Sequence, residues 1–234
     1  MTIAEKLAIL IENEPKVYEA GYEAGKSEGG NDSGYYDAFW DSFQVNGERT
    51  NYKNAFCNWK KAHNYWKPKY DINPIEVAYM FDGFESDLGL PELCEKSGIS
   101  INWSNVPNFS SLFVNAYIPD VGVIDTTHVT RTNGMCSNAK IGKIHLKLKE
   151  DGSQTHMSTF MLCELLTEIT IEGVIGKDFD VSACTNLSTE SLINIIEHLG
   201  GSESATLTLP VKFKTDEYTD IIASKPSNWT ISWL

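Results

Sequence analysis

Residues 80–90 (MFDGFESDLGL), 112–123 (LFVNAYIPDVGV), 135–144 (MCSNAKIGKI) and 161–171 (MLCELLTEITI) follow one pattern. Each opens on a bulky apolar pair or triplet, Met80-Phe81, Leu112-Phe113, Met135-Cys136 and Met161-Leu162-Cys163, which reads as a short helical anchor. Each closes on a β-like segment: Asp87-Leu88-Gly89-Leu90, Asp120-Val121-Gly122-Val123, Lys140-Ile141-Gly142-Lys143-Ile144 and Glu168-Ile169-Thr170-Ile171. The step from anchor to strand is seven, eight, five and six residues, whereas successive strands lie 33, 20 and 28 residues apart. A steady anchor-to-strand step inside a variable period is what insertions into connecting loops produce in a repeat array.

A unit of this size has a strand with one face to bury and a helical turn that covers only its neighbour, so the units must stack to share a core. The sequence therefore predicts an α/β fold, an irregular leucine-rich-repeat solenoid over residues 74–234, with strands along one side and helical segments along the other. A helix over Ser188–Leu199, with Leu192, Ile195, Ile196 and Leu199 on one face, precedes a strand at Thr206–Leu209. Alternation in Trp229-Thr230-Ile231-Ser232-Trp233 marks a closing edge strand. Cys57, Cys94, Cys136, Cys163 and Cys184 are odd in number and too far apart to frame disulfides or paired zinc knuckles, and they read as buried thiols, with Cys94, Cys136, Cys163 and Cys184 filling positions of the repeat core.

Two further regions precede the repeat. Residues 1–34 carry Ile3, Leu7, Leu10, Val17 and Ala24 on alternating spacings of four and three, an apolar seam along one side of a helix capped by Thr2 and Glu5. Glu14 and Pro15 interrupt it, and a helix of this kind is unstable alone in water, so the seam predicts self-association through those five residues. Residues 35–73 hold 11 of the chain's 26 aromatics between Tyr35 and Tyr70. Tyr36, Phe39, Trp40 and Phe43 share one helix face, giving an aromatic helical collar whose rings either pack as core, the commoner outcome, or offer a sugar-stacking platform.

The composition bounds the function. With 234 residues, 19 Lys and Arg against 32 Asp and Glu and a net charge of −13, the field of the whole molecule opposes nucleic acid and anionic membranes. Residues 1–50 supply a net −6 of that charge, ten acids against four bases, which reads as solvation of a helical stalk. No stretch has the roughly 18 apolar residues of a membrane span, and Glu5 interrupts the place of a signal peptide's apolar region. The five histidines are scattered, and no residue is designated as catalytic, cofactor-binding or metal-ligating. Gly25-Lys26-Ser27-Glu28-Gly29 spells a nucleophile elbow and Gly21–Ser27 nearly spells a phosphate loop, but neither follows the buried strand such motifs need. A carbohydrate-active enzyme would require two carboxylates flanking a sugar, for which Glu172, Asp178 and Asp180 are the candidates, although loop acids are more often solvated surface.

The stretch Asn105-Val106-Pro107-Asn108-Phe109-Ser110-Ser111-Leu112-Phe113, leading to Ile118 and Asp120–Val123, resembles the bacterial surface-protein repeat of about 26 residues in the BspA-like leucine-rich class. Val129–Cys136, leading to Ile141 and Ile144, is a partial second copy, and the likeness covers roughly Ile75 to Ile175. The front end, Met1–Gly30 with Ala38-Phe39-Trp40-Asp41 and Lys67-Pro68-Lys69-Tyr70, is similar to the start of small structural proteins of gut Firmicutes prophages. Together these resemblances imply a noncatalytic virion component, associated with tail or fibre, that uses no cofactor. It would contact a bacterial surface protein or glycan and other virion proteins. An adhesin of the bacterial cell surface is the alternative.

Overall fold

The computed structural model describes Trp40 and residues 50–234. The seam residues Ile3, Leu7, Leu10, Val17 and Ala24, and the aromatic helix face apart from Trp40, lie outside the described residues. Within them the strands are β1 (Tyr117–Asp125), β2 (Lys140–Lys147), β3 (Glu168–Glu172), β4 (Phe179–Asp180), β5 (Ala205–Leu209) and β6 (Trp229–Trp233). The helices are α1 (Leu90–Ser97), α2 (Thr189–Glu197) and α3 (Thr219–Ala223). The strands form two sheets, ordered β1-β2-β3 and β4-β5-β6, with every neighbouring pair parallel.

This architecture overturns the expected leucine-rich-repeat solenoid. Extended strands do not run through the molecule: the first sheet stops at β3 and a second begins at the two-residue β4, leaving two small three-stranded sheets, isolated parallel bridges such as Asn51 to Glu76 and Ile175 to Leu199 outside them, and three α-helices among the described residues. The physical reason is α2. Ser188 caps it by accepting the Ser191 N–H at 3.1 Å, and the helix then packs against β3. From α2, Ser191 Oγ accepts the N–H of Ile169 at 2.9 Å and Asn194 Oδ1 accepts that of Ile171 at 2.6 Å. Two side chains three residues apart share a helix face, so α2 satisfies the donors that a fourth strand would otherwise take and closes the sheet's edge.

The apolar anchors are not helices either. Each is an arc of turns in which an N–H donates three residues back, as Leu112 does to the Phe109 carbonyl and Ala116 to that of Phe113. Left-handed residues recur four apart in every arc: Asn54 and Asn58, Tyr79 and Gly83, Ser111 and Asn115, Gly134 and Asn138, Ser158 and Leu162. A left-handed residue reverses the backbone curl, so no right-handed helix can propagate through it. The arcs instead bond to one another. Phe56 N–H donates to the Met80 carbonyl, Phe81 to Leu112, Phe113 to Met135 and Cys136 to Thr159, at 2.8–3.0 Å.

Residues 50–73 likewise form no helical collar, since the one helical turn described there is the three-residue Ala62–Asn64. Their rings belong to the common core. Trp40, Tyr52, Phe56, Trp59 and Trp66 are buried in one apolar cluster that continues through Phe81 and Phe113 to Phe213 and Trp229. Phe81 lies between Phe56 and Phe113, with centroids 5.3 and 5.2 Å away, and stacks on Phe113. Of the expected β-like segments, 140–144 falls in β2, 168–171 in β3 and 206–209 in β5, whereas Leu90 opens α1.

Glycines at two places set the geometry around the sheets. At Gly122, φ is +71°, and a Cβ there would lie 2.7 Å from Pro91 Cγ of α1, so the β1 irregularity between Asp120 and Val123 requires glycine. Gly152, Gly176 and Gly201 form a column linking the two sheets' connections, where a Cβ on Gly176 would sit 2.3 Å from the Gly152 carbonyl oxygen.

Candidate ligand-binding face

The first sheet buries Ile118, Val121 and Ile124 from β1, Ile141, Ile144 and Leu146 from β2, and Ile169 and Ile171 from β3. The remaining positions turn outward, and the parallel register aligns them in three rows. Asp120 pairs with Lys143 and Lys143 with Glu168; Val123 with His145 and His145 with Thr170; Asp125 with Lys147 and Lys147 with Glu172. Asp120 and Val123 reach the same side because the irregularity at Gly122 inserts an odd residue between them. The face is thus two acid–lysine–acid rows bracketing a valine–histidine–threonine row.

Its charges are paired with one another. Lys143 Nζ lies 2.7 Å from Glu168 Oε1, and Lys147 Nζ lies 2.9 Å from Glu172 Oε2. Hydrogen bonds to those carboxylates raise both ammonium pKa values, and the Lys147 contact in turn holds the Glu172 carboxyl below its usual range. His145 Nε2 stands 2.9 Å from Glu172 Oε1 but off the ring N–H direction, so the contact is an ion pair only when the ring is protonated. Burial pushes Asp125 up, but hydrogen bonds from the Thr127 hydroxyl and N–H outweigh it and leave the carboxyl below its ordinary value. Pairs this exposed contribute little to stability. Their effect is to hold long side chains in fixed positions over a sheet.

The other sequence candidates occupy structural roles. Asp178 accepts the Thr206 N–H at 2.8 Å, and Asp180 accepts the N–H and hydroxyl of Ser182 at 2.9 and 2.7 Å. Glu172 belongs to the face just described, so each of the three carboxylates has its own partners. Cys136, Cys163 and Cys184 are buried, and burial raises their thiol pKa values, for Cys163 to about 12. These are inert core thiols. Among the described residues no three His, Cys, Asp or Glu side chains are grouped to hold a metal ion, and no helix is long and apolar enough to cross a membrane.

One buried polar group stands apart. The Thr159 hydroxyl donates to the Thr132 carbonyl at 2.9 Å, so it can only accept from the Thr132 hydroxyl, 3.0 Å away. The Thr132 oxygen must then accept from His156 Nδ1, also at 3.0 Å. This proton count places the hydrogen on Nδ1 and leaves Nε2 a bare lone pair, which has no partner. The ring stands edge-on to Phe179 at 5.3 Å, and burial lowers its pKa to about 4.

Sequence reasoning missed the charged rows. The available signal was Lys143, His145 and Lys147 alternating on one strand, with Glu168, Thr170 and Glu172 alternating on the next. No family model, curated protein or solved structure matches this chain.

Proposed function

We propose that this chain is a noncatalytic binding protein that meets a bacterial surface protein or glycan with the outward face of β1–β3. The observation that supports this reading is the set of three in-register rows, which array ammonium, imidazole, hydroxyl and carboxylate groups on a rigid sheet. Such an array matches a ligand rich in hydrogen-bond donors and acceptors. The resemblance of residues 1–30 to prophage structural proteins supports placement in a phage particle, with self-association through Ile3, Leu7, Leu10, Val17 and Ala24 bringing several faces to one surface.

The test is binding of labelled full-length protein to a panel of intact Firmicutes cells. Reversing both lysines (Lys143→Glu with Lys147→Glu) is expected to reduce cell binding by roughly tenfold or more and, because like charges then stand opposite across the strands, to lower Tm by only a few degrees, with the protein still folded at the binding temperature. Periodate treatment of the cells abolishes binding to a glycan, and protease shaving abolishes binding to a protein. Binding unaffected by the reversal refutes this use of the face, and release of reducing ends that depends on one carboxylate refutes the noncatalytic reading. Deleting residues 2–30 is expected to convert an oligomer to a monomer in light scattering; an unchanged molar mass per particle rules out the stalk.

A further inference from the structure

The arc of residues 157–165 departs from the four arcs before it. Met157, Met161, Leu162 and Leu165 are 70%, 49%, 53% and 46% exposed, which gathers a third of the large exposed apolar side chains among the described residues into nine positions. At the second left-handed site the earlier arcs use Asn58, Gly83, Asn115 and Asn138, residues that tolerate this conformation, whereas the last places Leu162 there at φ 59°. Asn138 and Asn115 also bond side chain to side chain at 2.7 Å, a run that a leucine terminates. An exposed, strained leucine among methionines offends both solubility and backbone preference, and such local violations mark sites kept for function.

The chain that follows covers this arc only in part: Asn186 Nδ2 donates to the Glu164 carbonyl at 2.7 Å, but the four apolar side chains stay exposed. Its ends match the preceding row, with Phe179 against the His156 ring at 5.3 Å and the Ser188 N–H on the Thr167 carbonyl at 2.8 Å. It spans that interval in nine steps where the row beneath takes eleven, so it cuts the corner and the longer arc overhangs. In the four earlier arcs the N–H at the second left-handed site always donates to the next arc: Asn58 to Asp82, Gly83 to Val114, Asn115 to Ser137 and Asn138 to Met161, at 2.7–3.1 Å. The Leu162 N–H has no partner among the described residues.

We propose that this overhang docks an extended, largely uncharged segment of a partner polypeptide. A backbone carbonyl of the segment takes the Leu162 N–H, repeating the bond made at the four earlier junctions, and its apolar side chains cover the side chains of Met157, Met161, Leu162 and Leu165. Flexible thioethers adapt to varied apolar partners. The patch has no aromatic face for a sugar and no cation for a lipid headgroup, and the net charge of −13 opposes an anionic membrane. This surface is separate from the charged rows and does not rest on their proposed use.

The test selects phage-displayed random 12-residue peptides on the full-length protein. Enriched sequences are expected to be apolar and extended, and to slow hydrogen exchange of the Leu162 amide when bound. Leu162→Asn relieves the backbone and is expected to raise Tm by about 3 °C, yet to weaken peptide binding by roughly tenfold; Met161→Asp weakens it similarly. A more stable protein that binds less separates loss of the surface from loss of the fold. The proposal is overturned by no enrichment, by peptides that bind Leu162→Asn and the parent equally, or by protection elsewhere. Concentration-dependent dimerisation abolished by Met161→Asp would assign the overhang to a second copy instead, and displacement of peptide by oligosaccharide would assign it to a glycan.

Discussion

Replacing Gly176 by alanine is expected to destabilise the protein by about 3 kcal/mol, read as a lower midpoint in urea unfolding with an unchanged slope. A Cβ at this position would stand 2.3 Å from the Gly152 carbonyl oxygen and 2.8 Å from its carbonyl carbon and Cα. These are backbone atoms, so no side chain can swing away to make room. Gly201 approaches from the other side, where its own Cβ would meet the Gly176 Cα at 3.0 Å. Relief on one side therefore tightens the other, and the cost falls at the upper end for overpacking. A loss below about 0.5 kcal/mol would show that the connections slide freely past each other.

Acid is expected to destabilise the fold through His156. Its native pKa is held down to about 4 by burial, against an ordinary 6.5. Between those values the unfolded chain binds a proton that the folded chain does not, so stability rises with pH in that window. The contribution is fully present above about pH 6.5, declines as pH falls, and is exhausted near pH 4, a difference of about 3 kcal/mol. The geometry gives the reason: with Nδ1 already donating to Thr132, the incoming proton would go to Nε2, which faces no acceptor. His156→Asn keeps a hydrogen-bonding atom near Nδ1 and removes the titration. Its stability difference between pH 7 and pH 4 is expected to be smaller than that of the parent by about 3 kcal/mol, measured by urea unfolding at each pH. An equal acid loss in both proteins would refute the assignment.

The strands were legible where side-chain periodicity was strong. Ile141, Ile144 and Leu146 in β2, Ile169 and Ile171 in β3, and Leu207 and Leu209 in β5 announce buried faces, and each lies in a strand with that face inward. The capped apolar face of α2 was equally plain. What could not be read was the side to which α2's polar residues turn. Ser191 and Asn194 look like ordinary solvent-facing residues in sequence, yet they accept the Ile169 and Ile171 amides and divide one expected array into two sheets. The anchors misled for a related reason. Met135-Cys136 and Leu112-Phe113 have helix-compatible spacing, and only the left-handed residues beside them, among them Asn115, Gly134 and Asn138, show that the backbone curls twice and cannot propagate. Gly122 was visible as a glycine but not as the irregularity that brings Asp120 and Val123 to one face. The charged rows followed from register, which depends on contacts between strands more than 20 residues apart.

The closure of β3 by α2 also bears on how copies of this chain can meet. An uncovered parallel strand is a template, and sheets that end on one recruit further strands until fibres form. By turning a serine and an asparagine onto the edge amides of Ile169 and Ile171, the helix makes growth of the first sheet terminate at three strands. Crowding of many copies at one assembly, as self-association through residues 1–30 would bring about, is then compatible with solubility on that side, because the β3 edge offers neighbours neither the Ile169 nor the Ile171 amide.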